Sequence, residues 1–454
     1  MSANPTPVAD RSTVMRTLVA TGAGNAAEWF DWAIYATFAS FIASQLFSHA
    51  DPTSAFLATL AVFAVGFAAR PLGGFVFGWL GDKIGRKTSL VWCVLLASLG
   101  SLVIALCPTY DAVGAWSSVI LLVARIIQGL AHGGELPSAQ TYLSEMAPNE
   151  RRGLWSSLIY FSGTLGIMAG TFIGAILSTI LSEEQMSAIG WRIPFLIGAV
   201  IGLFALYMRT KLEETEAFEE ANVEGAHHHP DAPERPEADG VFRQLATHWR
   251  QAAKVIGLTV GLTVVYYVWG VSTPAYAIHE LGIDAAGALW AGVVANIVFL
   301  IALPLWGRLS DRIGRRPVLL ISGIGSAVFF FPATLIVRDS AVQLALGMSL
   351  MLVFIAASAA IVPTTYAELF PTTIRTMGVA IPYAICVAAF GGTAAYLQAG
   401  MNAWFGDAGP TIFGVYTIVL LCIGIATVFT LRETKGIDLR QPSPPREKST
   451  TTAP

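Results

Sequence analysis

The chain contains little charge for its length. Of its 454 residues, 13% are charged and 54% are hydrophobic, with a mean hydropathy of +0.62. Because a soluble domain carries about a quarter charged residues, this composition excludes an ordinary soluble protein and predicts a polytopic membrane protein. A cleavable signal is not expected either, since the polar residues 1–16 lead into an apolar segment too long for a signal peptide.

Cysteines and catalytic motifs are also scarce. The 4 cysteines, Cys93, Cys107, Cys386 and Cys422, have no paired or metal-like spacing, so we expect packing residues rather than a disulfide framework or a zinc site. The tract His227–His229 lies in a charged loop and is interpreted as solvated rather than metal-binding. No HExxH, GxSxG or phosphate-loop pattern is present, which argues against a membrane enzyme, a bound cofactor and ATP-driven transport.

Twelve segments are long and apolar enough to cross a bilayer, which takes about 20 helical residues. We number them spans 1 to 12, and they lie near residues 17–46, 54–80, 88–107, 116–144, 153–181, 191–209, 251–279, 285–307, 317–337, 341–367, 375–401 and 410–431. Lysine and arginine concentrate at the N-terminus, the even-to-odd loops and the C-terminus, whereas Arg192 and Arg338 lie beside the opposite loops. This asymmetry predicts that both termini lie in the cytoplasm.

One long charged loop, residues 210–250, divides the spans into six and six. Its acids, prolines and lack of apolar periodicity are typical of a linker. The predicted organisation is a cytoplasmic N-terminus (1–16), a six-helix bundle (17–209), the linker (210–250), a second six-helix bundle (251–431) and a disordered cytoplasmic tail (432–454).

The two halves repeat short motifs. "GWLGDKIGRK" at 78–87 recurs as "GRLSDRIGRR" at 307–316, and "EMAPNERRG" at 145–153 recurs loosely as "ELFPTTIRTMG" at 368–378. Two related bundles are therefore expected. Parallel repeats of this kind are typical of transporters whose binding site lies between the halves near the bilayer midplane.

The doubled loop pattern is similar to the signature of the major facilitator superfamily. Within that superfamily, "GNAAEWFDW" (24–32), "GFAARPLGG" (66–74), "ARIIQGLAHGGE" (124–135) and "GWRIPF" (190–195) resemble the bacterial metabolite:proton symporters, which include 2-oxoglutarate, citrate, shikimate and proline/betaine permeases. The resemblance implies an all-α membrane fold of twelve helices in two six-helix bundles related by a pseudo-two-fold axis.

The resemblance also implies that the repeated loops latch the cytoplasmic side of the molecule. The alternative is that they are charged turns that only follow the positive-inside pattern. The gating residues predicted in this way are Gly78, Asp82, Arg86, Lys87, Glu145, Asp311, Arg315 and Glu368.

Ionisable residues inside spans are the candidates for chemistry, because each costs about 2.5–3.5 kcal/mol at mid-bilayer unless it meets a partner or a cavity. Glu28 and Asp31 share one face of span 1, about 18 and 22 Å beyond Arg16 by helical rise. Two neighbouring carboxylates repel each other in a low dielectric, which favours uptake of a proton. We predict that at least one of them titrates during transport, and the alternative is that each permanently neutralises a buried arginine.

Span 4 carries a polar stripe that we expect to face the bundle interior. Arg125, Gln128, His132 and Glu135 are spaced three, four and three residues apart. The resemblance implies that Arg125 is the counter-ion of Asp31. His132, where related sequences usually have a small or aliphatic residue, is either a proton relay or a neutral hydrogen-bonding group. The predicted proton-coupling residues are Asp31, Glu28, Arg125, His132 and Glu135.

Arg70, which precedes Pro71 in span 2, has two interpretations. Its planar guanidinium suits bidentate recognition of a substrate carboxylate, or it is a counter-ion of Glu28 that supports coupling. The second half offers polar and aromatic side chains rather than buried charge. The predicted substrate-binding residues are Arg70, Arg125, Gln128, Tyr266, Tyr267, Trp269, Asn296, Tyr366, Tyr383 and Gln398.

The predicted function is proton-coupled symport of a small organic acid into the cell by alternating access. Two buried arginines, together with "FGGTAAYL" (390–397), which is most similar to the 2-oxoglutarate permease, favour 2-oxoglutarate or a related di- or tricarboxylate. The alternatives are a shikimate-like cyclic acid, a proline/betaine osmoprotectant and, last, a drug exporter. We expect a monomer in a bacterial plasma membrane whose partners are the substrate, the proton and lipid, with no nucleic acid.

Overall fold

The computed structural model describes residues 11–84, 86–133, 140, 143–144, 146–210, 246–371, 374–437 and 439. Within these residues the chain folds into α-helices with short 3₁₀ and π turns, so the predicted all-α class is confirmed. Most of the linker and of the tail lies outside the described residues, as does the tract His227–His229. The boundaries of the two domains therefore stay predictions.

The helices of the first half follow the predicted spans. Phe38 divides span 1, and a π turn at Met186–Gly190 precedes span 6. In order, the helices are Arg11–Thr37 with Ala39–Leu46 (span 1), Pro52–Ile84 (span 2), Arg86–Ala105 (span 3), Trp116–Ala131 (span 4), Arg152–Ile180 (span 5) and Arg192–Thr210 (span 6), with short helices at Tyr110–Val113 and Glu183–Gln185 and a 3₁₀ turn at Asn149–Arg151.

Span 4 departs from the prediction of one continuous helix, because the helix Trp116–Ala131 ends before His132, whereas residues 140, 143, 144 and 146 are again helical. The chain just after Ala131 is tightly packed against span 2: a Cβ added at Gly133 would lie 2.1 Å from the carbonyl oxygen of Arg70. An apolar pattern does not reveal such a contact, so it did not predict this interruption.

The second half repeats the arrangement, with π turns inside spans 7 and 11. Its helices are Trp249–Tyr267 and Thr273–Glu280 around the π turn Val268–Ser272 (span 7), Ala285–Ile313 (span 8), Arg315–Ile336 (span 9), Ala341–Glu368 (span 10), Arg375–Cys386 and Gly392–Phe405 around the π turn Val387–Gly391 (span 11), and Gly409–Phe429 (span 12), which a 3₁₀ turn at Gly406–Ala408 precedes.

Length and hydropathy agree with a membrane location. Among the described residues, 8 continuous helical segments are long and apolar enough to cross a bilayer, and one of them, Arg375–Phe429, comprises spans 11 and 12. Spans 3 and 4 contribute shorter apolar helices at Val91–Ala105 and Trp116–Ala131. Span 1, whose helix carries two acids, completes the twelve.

The two halves meet along two pairs of helices. Span 5 packs against span 8, and span 2 packs against span 11. Since span 2 is the counterpart of span 8 in the repeat, and span 5 that of span 11, the two contacts are related by the pseudo-two-fold axis. Within the first half, small residues also allow close packing of the helices: a Cβ at Gly166 of span 5 would lie 2.0 Å from the carbonyl oxygen of Ala26 in span 1. We call the end that carries the loops after spans 2 and 8 the motif end.

Candidate functional site

A buried ion pair joins spans 1 and 2. A carboxylate oxygen of Glu28 accepts a hydrogen bond from Nη2 of Arg70, and the Glu28 side chain is 3% exposed. The Arg70 guanidinium lies over the rings of Trp32, at 4.4 Å from the centroid, and Phe67, at 5.2 Å. This is the contact that the counter-ion interpretation of Arg70 requires.

Asp31, one turn along span 1, is held by neutral donors. Ser101 Oγ donates a hydrogen bond to Oδ1, and Gln128 Nε2 donates to Oδ2 at 2.8 Å. Gln128 Nε2 also donates to Ser101 Oγ at 2.8 Å, so the three side chains form one buried network. His132 Nε2 lies 3.5 Å from Oδ2, which is longer than a normal hydrogen bond.

Arg125 makes no direct ion pair with Asp31 among the described atoms, so its predicted role as the counter-ion of Asp31 stays a prediction. Its Nη1 donates instead to Gln128 Oε1 at 2.9 Å, so the Gln128 amide lies between the two charged groups. Three residues after Arg125, Gln128 occupies the same helix face. The buried guanidinium packs over Trp32 at 4.2 Å and Tyr35 at 4.3 Å. Among the described atoms, its buried Nε and Nη2 have no hydrogen-bond partner.

We expect Arg125→Lys to lower the initial uptake rate by about tenfold or more. Lysine keeps the charge but loses the planar group that stacks on Trp32 and reaches Gln128, and a hydrogen bond to a charged group contributes about 1.5–3 kcal/mol. Uptake into proteoliposomes measures the effect. Arg338→Lys, at an exposed arginine, is the matched control. A near-normal rate for Arg125→Lys would show that the flat guanidinium is not needed.

His132 lies next to this network because the helix of span 4 ends just before it. It follows Ala131, the last residue of the helix Trp116–Ala131, and its backbone N–H still bonds to the Gln128 carbonyl. Its side chain is 12% exposed and faces Asp31. Arg125, Gln128 and His132 are thus brought together as predicted, whereas Glu135 lies outside the described residues.

A group of aromatic side chains lies between the two halves, and we call it the aromatic box. Its members are Trp29, Tyr160, Tyr266, Tyr267, Tyr366 and Tyr383, with Thr259, Leu262 and Thr263. The rings meet edge to face: the Tyr266 centroid is 5.7 Å from that of Trp29 and 5.4 Å from that of Tyr160. The enclosed space is ≈ 10 Å³, room for about one water molecule, so the rings nearly fill the box.

Local backbone features build this box. The π turn of span 7 begins immediately after Tyr267, and such turns are frequent at functional sites. Across from it, a Cβ at Gly391 would lie 2.5 Å from Thr263 Oγ1 and 2.8 Å from the Tyr267 ring, so only glycine lets span 11 come this close. Tyr267 in turn contacts Phe67 at 5.1 Å between centroids, and Phe67 lies under the Arg70 guanidinium.

The box contains only part of the predicted substrate set. Tyr266, Tyr267, Tyr366 and Tyr383 line it. Trp269 instead packs against Phe330 in the second half, with centroids 6.1 Å apart, and Asn296 Nδ2 donates to the Gly292 carbonyl of its own helix at 2.9 Å. Gln398 does not line the box either. The geometry therefore does not support these last three residues.

Sequence reasoning missed Trp29, Tyr160, Thr259 and Thr263 in the box, and Ser101 beside Asp31. A signal for Tyr160 was present in the repeat. Glu145 and Glu368 are 223 residues apart, and so are Tyr160 and Tyr383. The spacing of the repeated motifs thus aligns the two tyrosines at equivalent positions of the two halves.

Charged residues join the halves at the motif end. Glu368 accepts from Arg152 Nη1 at 3.2 Å and lies 3.7 Å from Arg315 Nη2, and Arg315 Nη1 donates to Asp311 at 2.9 Å. Asp311 also accepts from the backbone N–H of Gly153 at 2.7 Å. Arg152 and Gly153 belong to the first half and the others to the second. The structure describes only the helical backbone at four of the predicted gating residues, which are Gly78, Asp82, Arg86 and Lys87. Glu145 lies outside the described residues.

The segment after span 12 adds to this cluster. Thr434 donates a hydrogen bond to Glu368, and the Ile437 carbonyl accepts from Arg152 at 2.8 Å. Partial burial raises the pKa of Glu433, but backbone N–H groups of Arg315 and its neighbours hold that pKa below its ordinary value. The stabilisation is therefore present above the ordinary glutamate pKa and is lost as the pH falls through the lowered value. These contacts were not predicted from the sequence.

The halves also touch at the opposite end. The ring of Phe56 in span 2 stacks on His279 of span 7 at 4.0 Å, with the planes 9° apart. Ser40 Oγ donates to the Ala275 carbonyl at 3.0 Å. Contacts between the halves thus flank the aromatic box on both sides, so this is a state in which the box is closed.

The family of the chain follows from comparison with known proteins. Residues 16–443 match the family model "Sugar (and other) transporter". The chain is 31% identical to the proline/betaine transporter of Escherichia coli (strain K12) over 448 residues, which cover 96% of this chain and 87% of that one. The chain belongs to the sugar (and other) transporter family, within the major facilitator superfamily, and is a multi-pass membrane transporter.

Other relatives agree with this assignment. The chain is 31% identical to the glycine betaine/proline/ectoine/pipecolic acid transporter OusA of Dickeya dadantii (strain 3937), over 96% of this chain and 87% of that one. It is 33% identical to a putative proline/betaine transporter of Staphylococcus aureus (strain COL), over 95% and 91%. The crystal structure of a D-xylose-proton symporter superposes with a TM-score of 0.72 at 18% identity, over 93% of this chain and 99% of that one, which confirms the twelve-helix fold.

These relatives do not support the first substrate prediction. The expected 2-oxoglutarate-like carrier rested on two buried arginines and on "FGGTAAYL". The two glycines of this motif have a packing role: a Cβ at Gly391 would meet Tyr267, and a Cβ at Gly392 would lie 2.6 Å from Phe67. The motif reflects helix packing rather than a particular substrate. The relatives agree with the proline/betaine alternative.

Proposed function

We propose that the protein is a proton-coupled symporter of a small zwitterion that joins a substituted ammonium group to a carboxylate, as in proline and glycine betaine. The observation that carries this proposal is the aromatic box between the halves, next to the partly buried guanidinium of Arg70. The names of the relatives support the same substrate class.

The box suits a cation that cannot make many hydrogen bonds. Faces of tryptophan and tyrosine attract a quaternary or alkylated ammonium through the quadrupoles of the rings. The residues that line the box include no carboxylate, so the rings themselves supply the attraction. A dicarboxylate has no cationic group for these ring faces to attract.

Arg70 is the candidate partner for the carboxylate of the substrate. Its guanidinium lies over Phe67, and Phe67 contacts Tyr267 of the box, so a short zwitterion is able to span the two groups. Glu28 occupies Arg70 in the closed state. An entering carboxylate therefore competes with Glu28 for one guanidinium.

Asp31 is the candidate proton carrier. Protonating Glu28 would remove the ionic partner of Arg70, whereas Asp31 is bonded to the neutral side chains of Ser101 and Gln128 and can lose its charge at less cost. A proton on Asp31 makes the site less negative and favours binding of the carboxylate. Deprotonation after the site has opened to the other side favours release.

The motif-end cluster and the Phe56–His279 contact are the candidate gates. Alternating access requires that one set of contacts breaks while the other persists. The positive-inside pattern predicts that the motif end faces the cytoplasm. Opening of the Arg152–Glu368 contact then releases substrate and proton into the cell.

The substrate class is tested by a thermal-shift screen of the purified protein, followed by uptake into proteoliposomes with an imposed proton gradient. Bound ligand raises the melting temperature by mass action. We expect glycine betaine or proline to shift the melting temperature and to accumulate, and 2-oxoglutarate and shikimate to do neither. Uptake that depends on a sodium gradient and is unchanged when the proton gradient is collapsed would contradict the proposed coupling.

Substitutions in the box separate its aromatic faces from its hydroxyl groups. We expect Tyr266→Leu to weaken binding of glycine betaine by about 30-fold, because a desolvated cation–π contact contributes about 2 kcal/mol. Tyr266→Phe keeps the ring and should bind within about threefold of the wild type. Isothermal titration measures both. Equal losses in the two variants would assign the effect to the hydroxyl group and contradict the proposed role of the ring.

A further inference from the structure

A second cavity lies inside the first half. Its volume is ≈ 70 Å³, and Glu28, Asp31 and His132 line it. Its walls also include Gly24, Cys93, Ser98, Ser101, Gly198 and Gly202. We call it the N-half cavity. A buried water needs about 10–15 Å³ of such space, so the cavity has room for a short chain of waters. The polar atoms that such waters need are supplied by serine hydroxyls, two carboxylates and the imidazole.

The N-half cavity is separate from the aromatic box. All residues that line it belong to spans 1, 3, 4 and 6, whereas the box lies between the halves, and the two share no lining residue. Span 1 forms part of both walls, with Glu28 and Asp31 on the cavity side and Trp29 in the box. A molecule in the box therefore does not fill the N-half cavity.

The cavity extends from Asp31 toward the motif end. Cys93 lies seven residues after the start of span 3 at Arg86, about 10 Å by helical rise, and Gly202 lies eight residues before Thr210 at the end of span 6, about 12 Å. Ser101, next to Asp31, is more than two helical turns farther from the motif end than Cys93. A Cβ at Gly198 would lie 3.4 Å from Asp31 Oδ1 and would cover it. Because Gly198 has no side chain, the Asp31 carboxylate faces the cavity at this point.

We propose that the N-half cavity is a proton path from Asp31 to the solution at the motif end, with His132 as the relay. The proposal rests on the proposed function, in which Asp31 carries the coupled proton. The carboxyl proton of Asp31 passes to the Nε2 lone pair of neutral His132. The resulting imidazolium releases a proton from Nδ1 to a cavity water, which leaves an Asp31 carboxylate and a neutral imidazole.

The surrounding charges are compatible with this transfer. Glu28, the other carboxylate of the cavity, is paired with Arg70, so it does not compete strongly for the proton. Arg125 approaches Asp31 only through Gln128, which leaves the His132 side of the carboxylate free of a guanidinium. The remaining titratable group of the lining is the Cys93 thiol. His132 and Asp31 are 3.5 Å apart, so a small movement brings them into hydrogen-bond contact.

Gly24 offers a way to plug the cavity without disturbing the fold. It lines the cavity, it lies in the helix of span 1, and a Cβ added there meets no heavy atom within 4 Å. Leucine is also a better helix former than glycine. Ala23→Leu, at the exposed neighbouring residue, is the matched control.

The experiment measures hydration and transport separately. In a variant without the four native cysteines, Gly24→Cys is treated with a membrane-impermeant methanethiosulfonate reagent from each side of the membrane. We expect labelling from the side of the motif end, also with glycine betaine bound. Absence of labelling from that side would show that the cavity is closed or dry and would overturn the proton path.

Transport then tests the role of the path. We expect Gly24→Leu to slow proton-driven uptake of glycine betaine by at least about tenfold, as for loss of a proton-transfer group, with exchange across the membrane unchanged, and we expect His132→Leu to slow the same uptake to a similar extent. Ala23→Leu should match the wild type. Normal uptake in Gly24→Leu, despite labelling of Gly24→Cys, would overturn the path while leaving proton coupling intact. Wild-type uptake without a proton requirement would instead overturn the proposed function itself.

Discussion

Asp31→Asn is expected to bind and exchange glycine betaine but to fail to accumulate it against a gradient. Asparagine has the shape of the protonated acid, and its carbonyl oxygen still accepts from Ser101 or Gln128. The variant therefore resembles the proton-loaded state permanently. Counterflow needs no net proton movement and should persist at a near-normal rate. Active uptake should stop when the internal concentration of glycine betaine equals the external concentration.

Glu28→Gln provides the contrast for this prediction. It removes the ionic partner of Arg70 from a buried pair, which costs about 3–5 kcal/mol. We expect a lower melting temperature and weak exchange in Glu28→Gln, and a near-normal melting temperature in Asp31→Asn. Active accumulation by Asp31→Asn would exclude Asp31 as the proton carrier. A large loss of stability in that variant would instead indicate a permanent structural role.

The helices were predictable because the membrane imposes one strong constraint on them. Every backbone polar group in the hydrocarbon region must bond within its own segment, so an apolar stretch of sufficient length becomes a helix. The positions of spans 5, 8 and 10 agree with the apolar pattern within a few residues. The interruption of span 4 after Ala131 was not predictable from the apolar pattern, which does not show the contact of Gly133 with span 2.

The polar residues of the site were predictable for a related reason. A charge in a membrane helix needs a partner, which singled out Glu28, Asp31, Arg70 and Arg125. Which acid meets which arginine depends on distances of a few ångström between helices. Gln128 was recognised as part of the stripe, but its position between Arg125 and Asp31 is a property of the packed structure.

The aromatic box was harder to predict because tyrosine and tryptophan are common in membrane helices and carry no charge that demands a partner. Trp269 and Tyr266 are three residues apart, yet the π turn between them gives their rings different neighbours. The repeat in the sequence was the useful signal. It pairs Tyr160 with Tyr383, and both belong to the box.

Glu368→Gln is expected to open the motif end. Glu368 is fully buried between Arg152 of the first half and Arg315 of the second. Glutamine fills the same space but leaves Arg152 without an acid at this contact. Removing one member of a buried pair costs about 3–5 kcal/mol, which would change the ratio of closed to open states by about 100-fold or more. Distances between spin labels at Arg151 and Arg312, exposed residues of the two halves at this end, measure the opening.

Glu150→Gln is the matched control, since it makes the same substitution at an exposed glutamate of the motif end. We expect its distance distribution to equal that of the wild type, and that of Glu368→Gln to shift to longer distances at an unchanged helical content. The open state should also transport slowly, because the cycle requires the motif end to close again before the opposite end opens. A wild-type distance distribution in a well-folded Glu368→Gln would show that the cluster joins the halves without controlling their movement.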